Sequence, residues 1–297
     1  MNQACITGGG GFLGLWLARR LLEQGVAVRV LDAQAPTPLA TQVLGERLAQ
    51  VDWQQGDITH AENVARALAS CDAVAHLAGV LTPVCQASPV RGAQINLIGS
   101  LHVFEAARAQ GLSHVVYAST AGVYGPSQPD IPEPATHYGA FKLAVEGSAR
   151  AYWHDQGFPS VGFRPFVVYG PGRETGASAG PSLACQAAVR GLPYDMPMSG
   201  STGMIHVDDV VACFAHAMSQ VPNGARVFNL VGQKASMQEV KAAIEAQISG
   251  ARIGITGQPL RISADLREDG LDDWWPERPR TALGEGIART LAVYGSW

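Results

Sequence analysis

Tyr138 and Lys142 stand four residues apart in the segment Tyr138-Gly139-Ala140-Phe141-Lys142. On a helix, positions i and i+4 share a face, so a phenol and an ammonium can meet at one site. A cation beside a phenol favours the phenolate. At ~4 Å and an effective dielectric of ~20 the attraction is roughly 4 kcal/mol, about 3 pKa units. A tyrosine that ordinarily titrates near ~10 would then exchange protons near neutrality, as a general acid or base. Chance pairs at this spacing are rare here, because the chain has 7 tyrosines and its lysines are only Lys142, Lys234 and Lys241. The alternative is a helical tyrosine packed on a lysine stem, and the rest of the chain must decide.

The elements that would position such a pair alternate along the chain. Apolar runs at 4–7, 26–31, 51–56, 73–77, 115–118 and 161–166 read as strands. Between them, 12–24, 61–70 and 94–110 read as helices, and Tyr138 falls on the helix after the fifth strand. This alternation predicts an α/β fold, a Rossmann-type doubly wound parallel sheet with helices on both faces. After Tyr169 the texture changes, with a loop-like Gly170-Pro171-Gly172-Arg173 and helices expected near 181–190, 208–219, 237–248 and 284–294. Ser236 and Glu239 have capping-box spacing. The expectation is a dinucleotide-binding unit of 1–166 plus about 204–231, and a smaller mixed α/β substrate unit of about 167–203 plus 232–297.

The first strand runs into Thr7-Gly8-Gly9-Gly10-Gly11-Phe12-Leu13-Gly14. Glycines between a strand and a helix let the backbone approach a pyrophosphate, and the helix N-terminus supplies N–H donors. Two registers fit, GxGxxG on Gly9, Gly11 and Gly14, or GxxGxxG on Gly8, Gly11 and Gly14. Asp32 ends the second strand, 18 residues after Gly14, where a carboxylate can bind ribose hydroxyls. Its charge disfavours a 2′-phosphate, and Ala33-Gln34-Ala35-Pro36 brings no arginine to offset it, so NAD is expected over NADP.

The bulk properties exclude other classes. At 47% hydrophobic and 15% charged residues, 297 residues can bury a sizeable core. A net charge of -4 gives no footprint for nucleic acid. No apolar run reaches the ~18 residues of a membrane span. The N-terminus does not read as a signal peptide, and the five scattered cysteines lack a CxxC, so a reduced, cytoplasmic protein is expected. The eight histidines show no metal-binding spacing, and no metal is expected.

Taken together, these segments resemble the extended short-chain dehydrogenase/reductases, the NAD-dependent epimerase/dehydratase family. The resemblance runs over nearly the whole chain. Residues 7–14 are similar to that family's TGxxGFxG loop, which selects the register of Gly8, Gly11 and Gly14 and implies that Phe12 and Leu13 lie at the cofactor. It implies further cofactor contacts from Asp57 and Ile58 after strand three, from Leu77, Ala78 and Gly79 after strand four, and from Asn96, Pro165 and Val168. It implies Thr120 as the residue that hydrogen-bonds the substrate oxygen and Tyr138 as the acid/base. Lys142 then tunes the phenol and binds the nicotinamide ribose. Ser119 stands beside Thr120 as a weaker candidate, better read as a strand-end hydroxyl. His206-Val207-Asp208-Asp209 resembles the family's later HVDD segment.

Two positions depart from members that act on nucleotide sugars. Val167 stands where those carry an Asn, and Thr202 where they commonly carry a diphosphate-gripping Arg. A diphosphate needs fixed positive donors, so a small substrate is favoured. Arg173, just after the nicotinamide-contacting segment, is the better candidate for holding an anionic group, while Arg190 reads as surface and Tyr194, Trp274 and Trp275 as core or interface aromatics. The leading expectation is an oxidoreductase acting on a small sugar, sugar acid, polyol or related alcohol. The alternatives are a nucleotide-sugar epimerase or dehydratase and a non-catalytic dinucleotide sensor. The resemblance also implies a homodimer through the long fourth helix and the Tyr138 helix.

Overall fold

A computed structural model describes the whole chain except residues 127, 177 and 269. The chain begins β1 (Gln3–Thr7), α1 (Phe12–Glu23), β2 (Ala27–Asp32), α2 (Pro38–Leu44), β3 (Val51–Gln55), α3 (Ala61–Leu68) and β4 (Ala73–His76). It continues through α4 (Thr82–Ala87), α5 (Pro89–Ala93), a π-helical turn (Gln94–Ile98), α6 (Gly99–Ala109), β5 (Val115–Ala118), α7 (His137–Gln156) and β6 (Ser160–Pro165). The later part carries β7 (Val167–Tyr169), α8 (Gly180–Val189), β8 (Tyr194–Met196), β9 (Ser201–His206), α9 (Val207–Ser219) and β10 (Ala225–Leu230). It ends with β11 (Gln233–Ser236), α10 (Met237–Gln247), β12 (Ile253–Ile255), α11 (Leu271–Trp274) and α12 (Leu283–Ser296).

The large sheet has the order β10-β6-β5-β4-β1-β2-β3, and every pairing in it is parallel. Its central strands are buried on both faces, as the unbroken burial of β4 shows, which is why they read as apolar runs rather than alternations, whereas the edge strand β3 is partly exposed. From β1 the chain winds outward to β3, returns to β4 and winds the other way. The topological switch point therefore lies between β1 and β4, and ligands of such sheets bind outside the carboxyl ends of the strands there. The glycine loop leaves β1 at this point.

The other strands form a small sheet, β11-β9-β7, and a two-stranded pair, β12-β8. These shift one expected boundary. The run expected at 161–166 stops one residue early, because β6 ends at Pro165, which has no N–H to continue the ladder, and β7 follows from Val167 to pair with β9. All of β9, to His206, pairs within the small sheet. Trp274 and Trp275 pack against the large-sheet core, Trp274 stacking on Phe228 with ring centroids 5.0 Å apart. Ser236 and Glu239 do form the capping box of α10. The helix expected at 94–110 instead opens with the π-helical turn that carries Asn96.

Candidate active site

The glycine loop shows which of its glycines are structural. Gly8 has φ +69, and a Cβ there would sit 2.6 Å from the Ala78 backbone. A Cβ at Gly14 would sit 2.5 Å from Gly9 Cα. At Gly11 the same atom would meet only Gly8 O, at 3.4 Å. So Gly8 and Gly14 let strand, loop and helix close up, whereas Gly11 faces open space. α1 starts directly after it with no side-chain cap and no acid in its first turn, leaving free N–H groups for an anion. This is the GxxGxxG register. Phe12, Leu13, Leu77 and Ala78 are half-buried around the loop, and Gly79 is exposed.

Asp32 accepts from Gly10 N–H at 2.9 Å and from Gln34 N–H at 3.0 Å, one through each carboxylate oxygen. The carboxylate is thereby fixed at the rim of the loop with lone pairs to spare for ribose hydroxyls. The loop, the uncapped helix and this carboxylate fit a dinucleotide without rearrangement.

Other expected cofactor residues have different duties. Asp57 accepts from both the N–H and hydroxyl of Thr59, each at 2.8 Å, and from Arg91 at 2.9 Å. Burial pushes its carboxyl up, but these partners prevail and hold it at about 2. The Ile58 side chain is buried against Gly99. Asp57 and Ile58 thus tie the turn after β3 to α5 and α6. Asn96 is fully buried and clamps the loop after β4, accepting from Val80 N–H at 3.1 Å and donating to Val80 O at 3.0 Å. It thereby holds the loop after β4 in place. Pro165 and Val168 are buried at the junction of β6 and β7.

Tyr138 enters on the first turn of α7. Thr136 caps this helix, accepting from Gly139 N–H at 3.1 Å. Gly139 presses on the turn after Thr120 so closely that a Cβ would lie 2.1 Å from Gly122 O. That contact explains the glycine and brings Tyr138 to Thr120. The Thr120 oxygen accepts from Gly122 N–H at 3.0 Å, which leaves its own proton free to donate. One turn on, the Lys142 ammonium donates to Ala118 O at 2.9 Å, at the end of β5, and lies beside Gly79. Tyr138, Thr120 and Lys142 therefore converge at the switch point, next to the glycine loop.

The electrostatics differ from the sequence expectation. Burial pushes the Tyr138 phenol up to about 12, and Arg173 and hydrogen bonding to Thr120 draw it down only in part. The cation that acts on the phenol is Arg173. Lys142 is itself buried, which draws its ammonium down to about 8 against the opposing pull of Cys85 and Glu146. Desolvation outweighs the pair attraction, and Lys142 spends a hydrogen bond on the backbone.

Sequence reasoning missed a buried network behind the site. Glu146, one turn past Lys142, is completely buried. It accepts from Ser119 at 2.5 Å and from both sides of the Arg164 fork, at 2.8 and 2.5 Å. Arg164 also donates to Tyr124 OH, which donates to Asn229 at 3.1 Å. Ser119 is thus occupied away from the cleft, as a strand-end hydroxyl. A second chain links Thr7, His76 and Ser100 at 2.7 and 2.8 Å. Ser100 donates to Asn96 O, so it accepts from His76 Nε2–H, and Nδ1 accepts from Thr7. Burial, reinforced by Lys142, pushes His76 down to about 3. The i, i+8 spacing of Tyr138 and Glu146 was the available signal, but a lone helical Glu is common.

Of the candidate substrate residues, Val167 is 1% exposed and packs in the core around β7, so its side chain faces no cleft. Thr202 is also buried, its hydroxyl without a partner among the described residues. Arg190 is exposed. Arg173 lies over the Phe12 ring, 5.8 Å from its centroid. Among the described residues no cluster of His, Cys, Asp or Glu could hold a metal ion, and no helix is long and apolar enough to cross a membrane.

This fold is that of a Rossmann-type, NAD-dependent enzyme. The model of the NAD dependent epimerase/dehydratase family matches residues 4–246, and the chain belongs to that family, whose cofactor is NAD. The UDP-glucose 4-epimerase of Mycolicibacterium smegmatis is 30% identical over 313 residues, covering 98% of each chain. The crystal structure of the Thermus thermophilus UDP-glucose 4-epimerase complex with NAD superposes with a TM-score of 0.83 at 26% identity, covering 98% of each chain. A GalE-like L-threonine dehydrogenase from Cupriavidus necator shares the fold, with a TM-score of 0.85 at 23% identity and coverage of 98% and 99%.

Proposed function

We propose that this enzyme catalyses net, reversible hydride transfer between NAD and a carbinol carbon of a small sugar, sugar acid, polyol or related alcohol. The observation that carries this reading is the convergence of Tyr138, Thr120 and Lys142 at the switch point. In the oxidative direction the balance is carbinol plus NAD⁺ giving carbonyl, NADH and one proton. NAD, when bound, supplies the hydride acceptor. Thr120 donates a hydrogen bond to the substrate oxygen. Tyr138 first gives its own proton to solvent, and the resulting phenolate takes the proton from that oxygen. Lys142, released from Ala118 O, holds the nicotinamide ribose and adds positive charge beside the phenol. Gly8, Gly11 and the first turn of α1 hold the pyrophosphate, and Asp32 the adenosine ribose.

A second reading is nucleotide-sugar epimerisation, favoured by the full-length similarity to a UDP-glucose 4-epimerase. Against it stand the buried Val167 and Thr202, which give a diphosphate no cationic donor at those positions. Incubation with NAD and a panel of alcohols separates the two. A dehydrogenase accumulates NADH, whereas an epimerase inverts a UDP-sugar with no net change in NAD.

We further propose that two copies pair through α6 and α7. The exposed Ile98, just before α6, and exposed Ala140 and Ala144 on α7 support this surface. Light scattering on Ala144→Arg checks it, with a monomer expected. All five cysteines are free and buried, which suits the reducing cytoplasm where we place the protein.

A further inference from the structure

Other deeply placed arginines near the sheet have an acid beside them. Arg164 is held by Glu146, Arg29 by Asp52, and Arg278 by Glu268 and Asp272. Among the described residues two arginines have a buried Nε with no acceptor, Arg20 and Arg173. Arg20 lines a cavity that also holds Asp208 and Asp209. Arg173 forms no ion pair among the described residues. Its one side-chain hydrogen bond goes to Ser178 Oγ, at the long distance of 3.5 Å. A cation withdrawn from water without a counter-charge is costly, so this guanidinium is built to receive an anion.

Its position says which anion. Arg173 lies over the Phe12 ring, and its guanidinium and Leu81 both border Gly176, which sets it against the loop after β4 that Lys142 also borders at Gly79, so a ligand group on Arg173 lies close to the oxygen that Tyr138 serves. The loop beneath it is braced. Gly170 N–H donates to Ser182 at 3.1 Å, and Gly172 N–H donates to Tyr294 OH at 2.9 Å. Gly172 has φ +87 and packs on Leu39. The guanidinium fork is therefore carried on a fixed base, and a fork of this kind matches a carboxylate in two parallel hydrogen bonds.

Resting on the function proposed above, we infer that Arg173 is the substrate anchor and that the substrate is a small hydroxy acid. Its carboxylate pairs with Arg173 while its carbinol meets Tyr138 and Thr120. A neutral polyol leaves the guanidinium unpaired. A nucleotide sugar sets its charge farther from the reacting carbon.

The test uses 2-hydroxy, 3-hydroxy, aldonic and uronic acids, each matched with its primary amide or neutral polyol, and follows NADH. Wild-type enzyme should prefer the acid of a matched pair. Arg173→Met should lose on the order of 10²-fold more in kcat/KM for the acid than for its neutral analogue, the excess appearing mostly in KM, because any loss through the Tyr138 phenol is common to both. NAD affinity, read by fluorescence titration, should be unchanged in that variant, which also shows that it is folded. Should Arg173→Met not fold, malonate competition against the acid in wild-type enzyme supplies the same information, with competitive inhibition expected. Tyr138-dependent turnover of neutral polyols but not acids would overturn the inference and leave the proposed function standing. Loss of NAD affinity in Arg173→Met, with acid KM unchanged, would assign Arg173 to the cofactor instead. Turnover of every class that ignores Tyr138→Phe would remove the proposed function itself.

Discussion

Lys142→Met removes a charge whose burial depends on pH. Lys142 is 3% exposed, and burial draws its ammonium from 10.5 down to about 8. The unfolded lysine keeps its ordinary value near ~10.4. Between about pH 8 and 10.5 the unfolded chain therefore holds more protons than the native protein, and stability rises with pH across that window. The drop corresponds to about 3 kcal/mol, fully in force below pH 8 and gone above 10.5. Methionine has a similar length and no charge. The stability of Lys142→Met minus that of wild type should thus shrink by about 3 kcal/mol between pH 7 and 10.5. Taking the difference cancels distant titrating groups. Cys85, which faces Lys142 and is pushed up by burial, is replaced by alanine in both proteins. Urea unfolding followed by circular dichroism supplies the two curves. If they run parallel across the window, Lys142 is not desolvated as described, and the reasoning about its neighbour Tyr138 fails with it.

Gly8→Ala and Gly11→Ala should separate fold from ligand. Gly8→Ala meets the Ala78 backbone at 2.6 Å with φ +69 and should lower stability by more than the ~1–3 kcal/mol of backbone strain alone. Gly11→Ala should melt near wild type yet bind NAD more weakly, and unchanged NAD affinity would remove the pyrophosphate from that position. Asp32→Ser should lose roughly 10- to 100-fold in NAD affinity while gaining affinity for NADP, checked by titrating both cofactors. Glu146→Gln leaves buried Arg164 short of its counter-charge and should cost about 3–5 kcal/mol in urea unfolding, with Glu146→Gln/Arg164→Met recovering much of it.

The sequence exposed the sheet because its central strands are buried on both faces, and apolar runs such as Ala4–Thr7 and Val115–Ala118 are hard to miss. The glycine loop, Asp32 and the Tyr138–Lys142 spacing were legible because each needs particular residue types close together in the chain. The small sheet was mostly missed. β8, β11 and β12 are three or four residues long, β11 is exposed at Gln233 and Lys234, and only tertiary pairing makes them strands. The π-helical turn at Asn96 was invisible for a similar reason, since its spacing departs from the helical period. The Glu146–Arg164–Ser119 network joins positions far apart in sequence. The phenol's shift was misjudged because i, i+4 spacing says nothing of burial, and Arg173 comes from a distant loop.

Tyr138→Phe tests the central claim most directly. The variant keeps the ring that packs beside Thr120 and removes only the hydroxyl. NADH formation from an alcohol that wild-type enzyme oxidises should fall by roughly 10²-fold or more, while NAD binding stays near wild type. Undiminished turnover in that variant would contradict the account.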